Sequence, residues 1–299
     1  MTGGRLVLVA TPIGNLGDLS PRAVSVLTDA DIVCCEDTRR TRALLSAAGI
    51  SGGRRLVSLH GHNEAAMVER VLDWVAGGRT VAVVSDAGTP SVSDPGARLV
   101  AAAADRDLSV SVVPGPSSVL AALVVSGLPT DRFCMEGFLP RKGADRRRRL
   151  VALATEERTT VLLEAPGRLA GTLADLLGAC GDRPVALVRE LTKVHEEIWR
   201  GGLARAVERV GERPPRGEVA VVMGGAEAPG PPTDAEVAAA VAERLAAGDS
   251  ARRAADAVAR GLGVSRHRAY EAAIVERDGE RARTPTSSGR TSPPRQAGG

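Results

Sequence analysis

The sequence predicts an α/β protein built on a mostly parallel sheet. Short, uncharged, β-branched runs recur along the first 115 residues, and segments with helical spacing alternate with them. Three of the runs end abruptly in loops of Gly, Pro, Ser and Asp.

The elements follow in order. LVLVA (Leu6–Ala10) is a strand that opens onto TPIGNLGDLSP, and a helix follows over Pro21–Asp29. Strand Ile32–Glu36 leads to helix Thr38–Ala48, and strand Arg55–Leu59 to helix Glu64–Ala76. Strand Thr80–Ser85 runs into SDAGTPSVSDPG (Ser85–Gly96) before helix Gly96–Asp105, and strand Ser109–Val113 opens onto PGPSS (Pro114–Ser118). A strand whose carboxyl end opens into such a loop is where open α/β sheets bind ligands. Glycines let backbone donors approach closely, and Asp86 can accept a hydrogen bond from a ribose or an amino group. An ordinary strand–turn–helix connection explains any one of these loops; three together favour one crevice. The first loop is no dinucleotide fingerprint, because Pro12 and Asn15 stand where G-x-G-x-x-G needs glycines, and no G-K-[ST] occurs. The ligand is therefore not held mainly by its phosphates.

A second set of strands is expected near Arg132–Phe138, Thr160–Glu164, Val185–Arg189, Glu196–Gly201 and Glu218–Met223. Helices near Asp145–Ala154, Arg168–Cys180 and Leu203–Val210 separate them. This gives an N-terminal α/β domain over 1–115 and a second over 116–226, with the boundary at Pro114–Ser118. EAPGPPTD, residues 227–234, reads as a linker. Residues 235–276 form a helical domain, in which Val237, Val241 and Leu245 share one face and Ala254, Ala257, Val258 and Leu262 another. GLGVSRHRAYEAAI has a helix-turn-helix pattern with Ser265 as the cap; a hairpin that simply packs on the main body is the plainer reading. Residues 277–299, rich in Arg, Ser, Thr, Pro and Gly, are expected to be disordered.

Composition excludes several classes. The 299 residues are 43% hydrophobic and 25% charged, a globular balance with room for two domains. No run nears the roughly 20 apolar residues that span a bilayer, and LVLVA is too short for a signal peptide. Cys34, Cys35, Cys134 and Cys180 lack C-x-x-C spacing, so neither structural zinc nor a disulfide framework is expected, and a cytoplasmic location is. Adjacent Cys34 and Cys35 point to opposite faces of a strand as small core residues. Aromatics are only 2% (Trp74, Trp199, Phe133, Phe138, Tyr270), which argues against an aromatic platform for stacked bases.

Four segments carry candidate chemistry. EDTRRTRALL places Arg39, Arg40 and Arg42 at a helix N-terminus, where positive charge opposes the macrodipole, so phosphate contact or plain solvation must account for them. SLHGHNE puts His60 and His62 on one side of an extended segment; without a third ligand, a metal is not expected. RELTKVHEE crowds charge at a strand's carboxyl end, as a salt-bridged turn or a cleft wall. PRKGADRRRRL carries six positive residues, Arg141, Lys142 and Arg146 to Arg149, against one negative, Asp145. It reads as a phosphate-binding patch or a solubilising helix start.

TPIGNLGDLSPRAVSVL, EDTRRTRALL, SDAGTPSVSDPG, PGPSSVLAAL, DRFCMEGFLPRKG and RELTKVHEE, in this order, resemble the ribosomal RNA small-subunit methyltransferase I family of tetrapyrrole-methylase-like (class III) methyltransferases. The resemblance implies two α/β domains with S-adenosylmethionine in the cleft between them, a small C-terminal helical domain, and a homodimer. It implies 2′-O-methylation of a cytidine in 16S ribosomal RNA of the small subunit, near the decoding site. Cofactor contacts are then expected from Pro12, Ile13 and Gly14; from Ser85, Asp86, Ala87, Gly88 and Thr89; from Pro114, Gly115, Ser117 and Ser118; and from Leu163 and Glu164. Arg39, Arg141, Lys142, Arg146, Arg147 and Arg148 are the expected RNA contacts. Proton transfer falls to Asp37, His62, Glu190 and Lys193, with a charged Glu190–Lys193 pair favoured over a single histidine base and an orienting role for Asp37. Gly61 and Gly167 depart from the family pattern, replacing an acidic residue and a histidine. A tetrapyrrole methyltransferase and a non-catalytic RNA-binding module are the alternatives; the basic segment speaks against the first and the enclosed cleft against the second.

Overall fold

The computed structural model describes residues 3–52, 55–227 and 230–283. The chain divides into two compact units, Met1–Ala226 and Glu227–Gly299.

The described residues of the first unit form two sheets. The first runs β1 (Arg5–Val9), α1 (Pro21–Asp29), β2 (Ile32–Cys35), α2 (Thr38–Ala47), β3 (Arg55–Ser58), α3 (Glu64–Ala76), β4 (Thr80–Val84), α4 (Ala97–Ala104) and β5 (Ser109–Val113). Its strand order is β3-β2-β4-β1-β5 with every pair parallel. Both faces are covered, which is why the strands read as unbroken apolar runs. Val7, Val9, Val33, Cys35, Ala82 and Val84 pack with Ala23 and Leu27 of α1 and Leu45 of α2. Leu6, Ile32, Cys34, Val81 and Val83 pack with Leu72 of α3 and Leu99 of α4. Cys34 and Cys35 thus enter opposite cores as free thiols, and burial pushes Cys34 up to about 12. The helices after β1 and β2 lie on one face, and the helix after β4, the strand between them, lies on the other. Chains diverging from adjacent strand ends leave a crevice at that edge.

The second sheet follows α5 (Ser118–Ser126): β6 (Phe133–Gly137), α6 (Gly143–Ala154), β7 (Thr159–Glu164), α7 (Pro166–Cys180), β8 (Pro184–Arg189), β9 (Glu197–Gly202), α8 (Leu203–Glu212) and β10 (Val219–Met223). Its order is β6-β7-β10-β8-β9. Only the first of these pairs is parallel, so the mostly parallel expectation holds for one sheet of the two. The link from Arg189 to Glu197 is too short for a crossover, so β8 and β9 form a hairpin. Helices α7 and α8 cover one face, and α5 covers the other through Val119, Ala122 and Leu123.

The described residues of the second unit form three helices, α9 (Asp234–Ala246), α10 (Ala251–Leu262) and α11 (Arg266–Arg283). Thr233 and Glu236 form a capping box on α9. Gly263 ends α10 at φ +66°, and Ser265 accepts the Arg268 amide at 3.2 Å, the cap expected from the sequence. Ala254, Ala255 and Val258 are the buried residues of α10 and Leu262 packs against the core, as expected of Ala254, Val258 and Leu262, whereas Ala257 is half-buried outside it. Residues 277–283, expected to be disordered, continue α11, because this stretch has one glycine among good helix formers. The remainder of that expectation, 284–299, lies outside the described residues. No described helix is long and apolar enough to cross a membrane.

Candidate active cleft

The three Gly/Pro loops meet. Thr11 and Gly88 exchange backbone hydrogen bonds of 2.9 and 3.1 Å, and the Thr11 hydroxyl donates to Ser85 O at 3.2 Å. The Ser85 hydroxyl donates to Gly88 O at 3.2 Å, and that of Thr89 to Pro116 O at 3.1 Å. Gly88 needs its freedom: φ is +88°, and a Cβ there would lie 3.3 Å from Ile13 Cγ2. The far end of this loop is anchored by the buried Glu64 carboxylate, which accepts the Gly96 and Arg98 amides at 2.9 and 3.1 Å and so caps α4.

Between the loops and the second sheet lies a cavity of about 400 Å³. Its wall includes the acidic residues Glu36, Asp86, Asp94, Glu164, Glu190 and Glu218, against the cations Arg40 and Lys193. Such crowding disfavours ionisation. Burial and the charge of Glu36 push half-buried Asp94 up to about 6, although Ser85 hydrogen-bonds it. Burial and the charge of Asp86 likewise raise Glu36. Asp86 is held on both oxygens, taking the Asp37 amide at 3.1 Å and Arg40 at 3.3 Å.

The second sheet contributes a strained hairpin. Glu190 and Thr192 have φ +52° and +64°, a conformation costing non-glycine residues about 1–3 kcal/mol each. The result is a pair: Lys193 Nζ donates to Glu190 Oε1 at 3.0 Å. Two glycines make room for it. A Cβ on Gly14 would collide with the Lys193 stem, and one on Gly217, where φ is +79°, with the Glu190 carboxylate.

Not every expected residue reaches this cavity. Ile13, Asp86, Ala87, Gly88, Thr89, Ser117, Ser118, Leu163, Glu164, Glu190 and Lys193 line it. Pro12, Gly14 and Ser85 line a separate space of about 330 Å³ across the Arg40–Asp86 pair. Pro114 and Gly115 line neither, and a Cβ on Gly115 would lie 3.0 Å from Ala10 Cβ. Glu164 is buried with its oxygens turned into α7: Oε2 accepts Thr172 at 2.6 Å, and Oε1 takes the Ala165 amide and Arg168. A buried carboxylate must be satisfied locally, so its oxygens are not free for a ligand. Asp37 caps α2 and pairs with Arg39 at 3.0 Å, which pulls its carboxyl down to about 2. His62 is exposed and lies off the cavity wall.

Among the arginines, Arg40 rather than Arg39 faces the cleft. Arg146, expected to contact RNA, is instead a structural residue. Its side chain, only 12% exposed, bonds Asp175 at 2.7 Å, Thr172 at 3.1 Å and Pro140 O at 2.9 Å. Arg148 pairs with Asp145, while Arg141, Lys142 and Arg147 are exposed and pair with no acid among the described residues. Asp94, Glu36, Glu218 and Arg40 are the charged wall residues absent from the expected site. Only the SDPG turn and the EDTRR run hinted at any of them.

Two α/β lobes closing on one acidic cleft define a two-lobed enzyme with its site between the lobes. The chain belongs to the tetrapyrrole (corrin/porphyrin) methylase family, whose profile matches residues 5–207, and it is a methyltransferase. It is 49% identical over 280 residues to "Ribosomal RNA small subunit methyltransferase I" of Mycobacterium tuberculosis (strain CDC 1551 / Oshkosh), covering 93% of this chain and 97% of that protein. A protein of the same name from Thermotoga maritima is 43% identical over 224 residues, all of its length but 75% of this chain. Among solved structures, a uroporphyrin-III-C-methyltransferase from Thermus thermophilus superposes with a TM-score of 0.52 at 25% identity, over 73% of this chain and 94% of that one. The methyltransferase CobJ superposes with 0.57 at 21% identity, over 75% and 95%, and shows the fold alone.

Proposed function

We propose that this chain transfers the methyl group of S-adenosylmethionine to the ribose 2′-hydroxyl of a cytidine in 16S ribosomal RNA, near the decoding site. The observation that carries the reading is the near-full-length identity to relatives named for the small-subunit RNA; the 2′-O position and the cytidine rest on the motif resemblance. The cleft fits the cofactor. Its volume of about 400 Å³ falls within the range for small-molecule sites of roughly 300–1,000 Å³. Its excess of carboxylates suits a cation, and the Gly88 turn lets the backbone come close. Ile13, Asp86 to Thr89, Ser117, Ser118 and Leu163 are the residues that would hold it.

When bound, S-adenosylmethionine supplies an electrophilic methyl group on a sulfonium. The chain's own residues align the hydroxyl and take its proton as the O–C bond forms. Asp94 is the acceptor: it faces the cavity, pairs with no cation among the described residues, and is ionised at neutral pH. The Glu190–Lys193 pair supplies fixed charge on the same cavity wall, and Asp37 orients α2 through its cap. A homodimer is part of the reading, supported by Leu120 and Val124, one turn apart on α5 and 52% and 69% exposed. A ribosomal substrate accords with the cytoplasmic location expected from the sequence.

Methyl-labelled cofactor offered with unmodified small ribosomal subunits, and separately with a tetrapyrrole precursor, tests the reading. Label in the RNA alone is expected. Label in the tetrapyrrole alone would replace the substrate, and label in neither would rule out both substrates.

A further inference from the structure

Behind the cleft lies a cavity of about 340 Å³ that the proposed reaction leaves unused. Its apolar floor, Leu169, Leu187 and Val210, belongs to the α7–α8 core, whereas Val188 and Ala220 of the cleft belong to the α5 core. The two cavities therefore stand on opposite faces of the second sheet and share Val219 at its end.

The rim of this cavity is basic. Arg189, Arg209, Arg213 and Arg216 face it against one acid, Glu197. Glu197 already holds two of them, Arg189 at 2.8 Å and Arg209 at 2.6 Å, and Arg209 also lies over the Trp199 ring at 5.8 Å. One carboxylate shared by two guanidiniums leaves positive charge over. Arg213 and Arg216 add to it: both are exposed, and neither side chain pairs with an acid among the described residues. Pro214 and Pro215 lie between them, and fixed proline φ angles stiffen the arm that presents them. Ordering the two arginines on an anion therefore costs less entropy than it would on a flexible loop.

The position is as informative as the charge. Arg189 precedes Glu190, and Arg216 is separated from Glu218 by the Gly217 kink, so each arginine is chained to an acid of the cleft wall. Arg189 Nη1 donates to Arg216 O at 3.4 Å and ties the two segments together. A strand whose ribose enters the cleft has a neighbouring phosphate to place just beyond this sheet end.

We propose that the cavity bounded by Arg189, Arg209, Arg213 and Arg216 binds a backbone phosphate of the RNA strand flanking the methylated nucleotide. The inference rests on the RNA reading above and adds a contact that fixes strand register. Guanidinium forks bind phosphate in bidentate fashion, which suits this rim better than stacking does. Trp199 is not a free platform, since Arg209 covers it on one side and a Cβ on Gly201 would lie 2.6 Å from its ring.

The test is binding of unmodified small ribosomal subunits across salt, using the full chain and its Arg213→Gln/Arg216→Gln variant. Affinity at moderate salt should fall by about tenfold, and the log–log salt slope should lose roughly 0.7 per phosphate contact. Affinity for S-adenosylmethionine, measured by calorimetry, should stay unchanged. An unaltered salt slope would overturn the proposal. A second arm uses Trp74→Phe, which leaves Trp199 as the sole tryptophan. Its fluorescence should respond to the subunit and not to micromolar inorganic phosphate; saturation by micromolar phosphate would make this a free-anion site and also overturn the proposal. Failure of the wild type to methylate subunits would instead refute the RNA reading itself.

Discussion

Replacing Asp94 with Asn removes the proposed proton acceptor at almost constant volume. Burial and the Glu36 carboxylate raise Asp94 from an ordinary 3.8 to about 6. At pH 7 about nine-tenths of it is then ionised, and at pH 5 about one-tenth, so a wild-type rate that needs the carboxylate falls about tenfold over that interval. Loss of a general base costs about 10²- to 10⁴-fold. Single-turnover methyl transfer with saturating cofactor, followed from pH 5 to 8.5, should show an acid limb near 6 that Asp94→Asn abolishes along with most of the rate. Glu36→Gln removes a neighbouring negative charge and should move that limb to lower pH. Stability should go the other way. A carboxyl raised in the folded state favours folding while protonated, and that contribution is lost as pH rises through about 6. The rise corresponds to ~3 kcal/mol before screening, and to roughly 1 kcal/mol for a half-exposed group. Asp94→Asn should therefore melt higher than the wild type at pH 8 and equally at pH 3. A variant that keeps its rate and its acid limb would refute the assignment.

Gly217→Ala places a Cβ against the Glu190 carboxylate at φ +79°, so it should lower stability by about 1–2 kcal/mol and slow methyl transfer. Gly211→Ala, in α8 with nothing near its would-be Cβ, should raise the melting temperature slightly. In the basic segment, Arg146→Gln should cost about 1–3 kcal/mol in denaturant unfolding and leave the salt slope of RNA binding alone. Arg141→Gln/Lys142→Gln/Arg147→Gln should reduce that slope and leave unfolding unchanged.

Local pattern was enough for the features that depend on neighbours in sequence. The three loops announced themselves by the switch from β-branched runs to Gly and Pro, and the structure joins them through Thr11, Gly88 and Pro116. The opposite-facing Cys34 and Cys35 follow from the two-residue period of a strand. The Glu190–Lys193 pair follows from i,i+3 proximity in a tight turn. Features set by distant partners were not legible. Asp94 looks like any turn aspartate until Glu36 and Glu218 are brought around it from other strand ends, beside Asp86 of its own loop. Four consecutive arginines give no hint that Arg146 faces Thr172 and Asp175 of α7. Gly14 resembles a ligand-approach glycine, yet the group that needs its missing Cβ is Lys193.

If this cleft methylates a ribose oxygen of small-subunit RNA, the product must carry the methyl group on the sugar. The direct measurement is the identity of the product. Unmodified small subunits treated with the chain and methyl-labelled cofactor are digested to nucleosides, and the labelled species is identified by mass spectrometry. The expected labelled nucleoside is 2′-O-methylcytidine, strongly reduced in the Asp94→Asn variant. Label on a base carbon or nitrogen, or on a nucleoside other than cytidine, would contradict it.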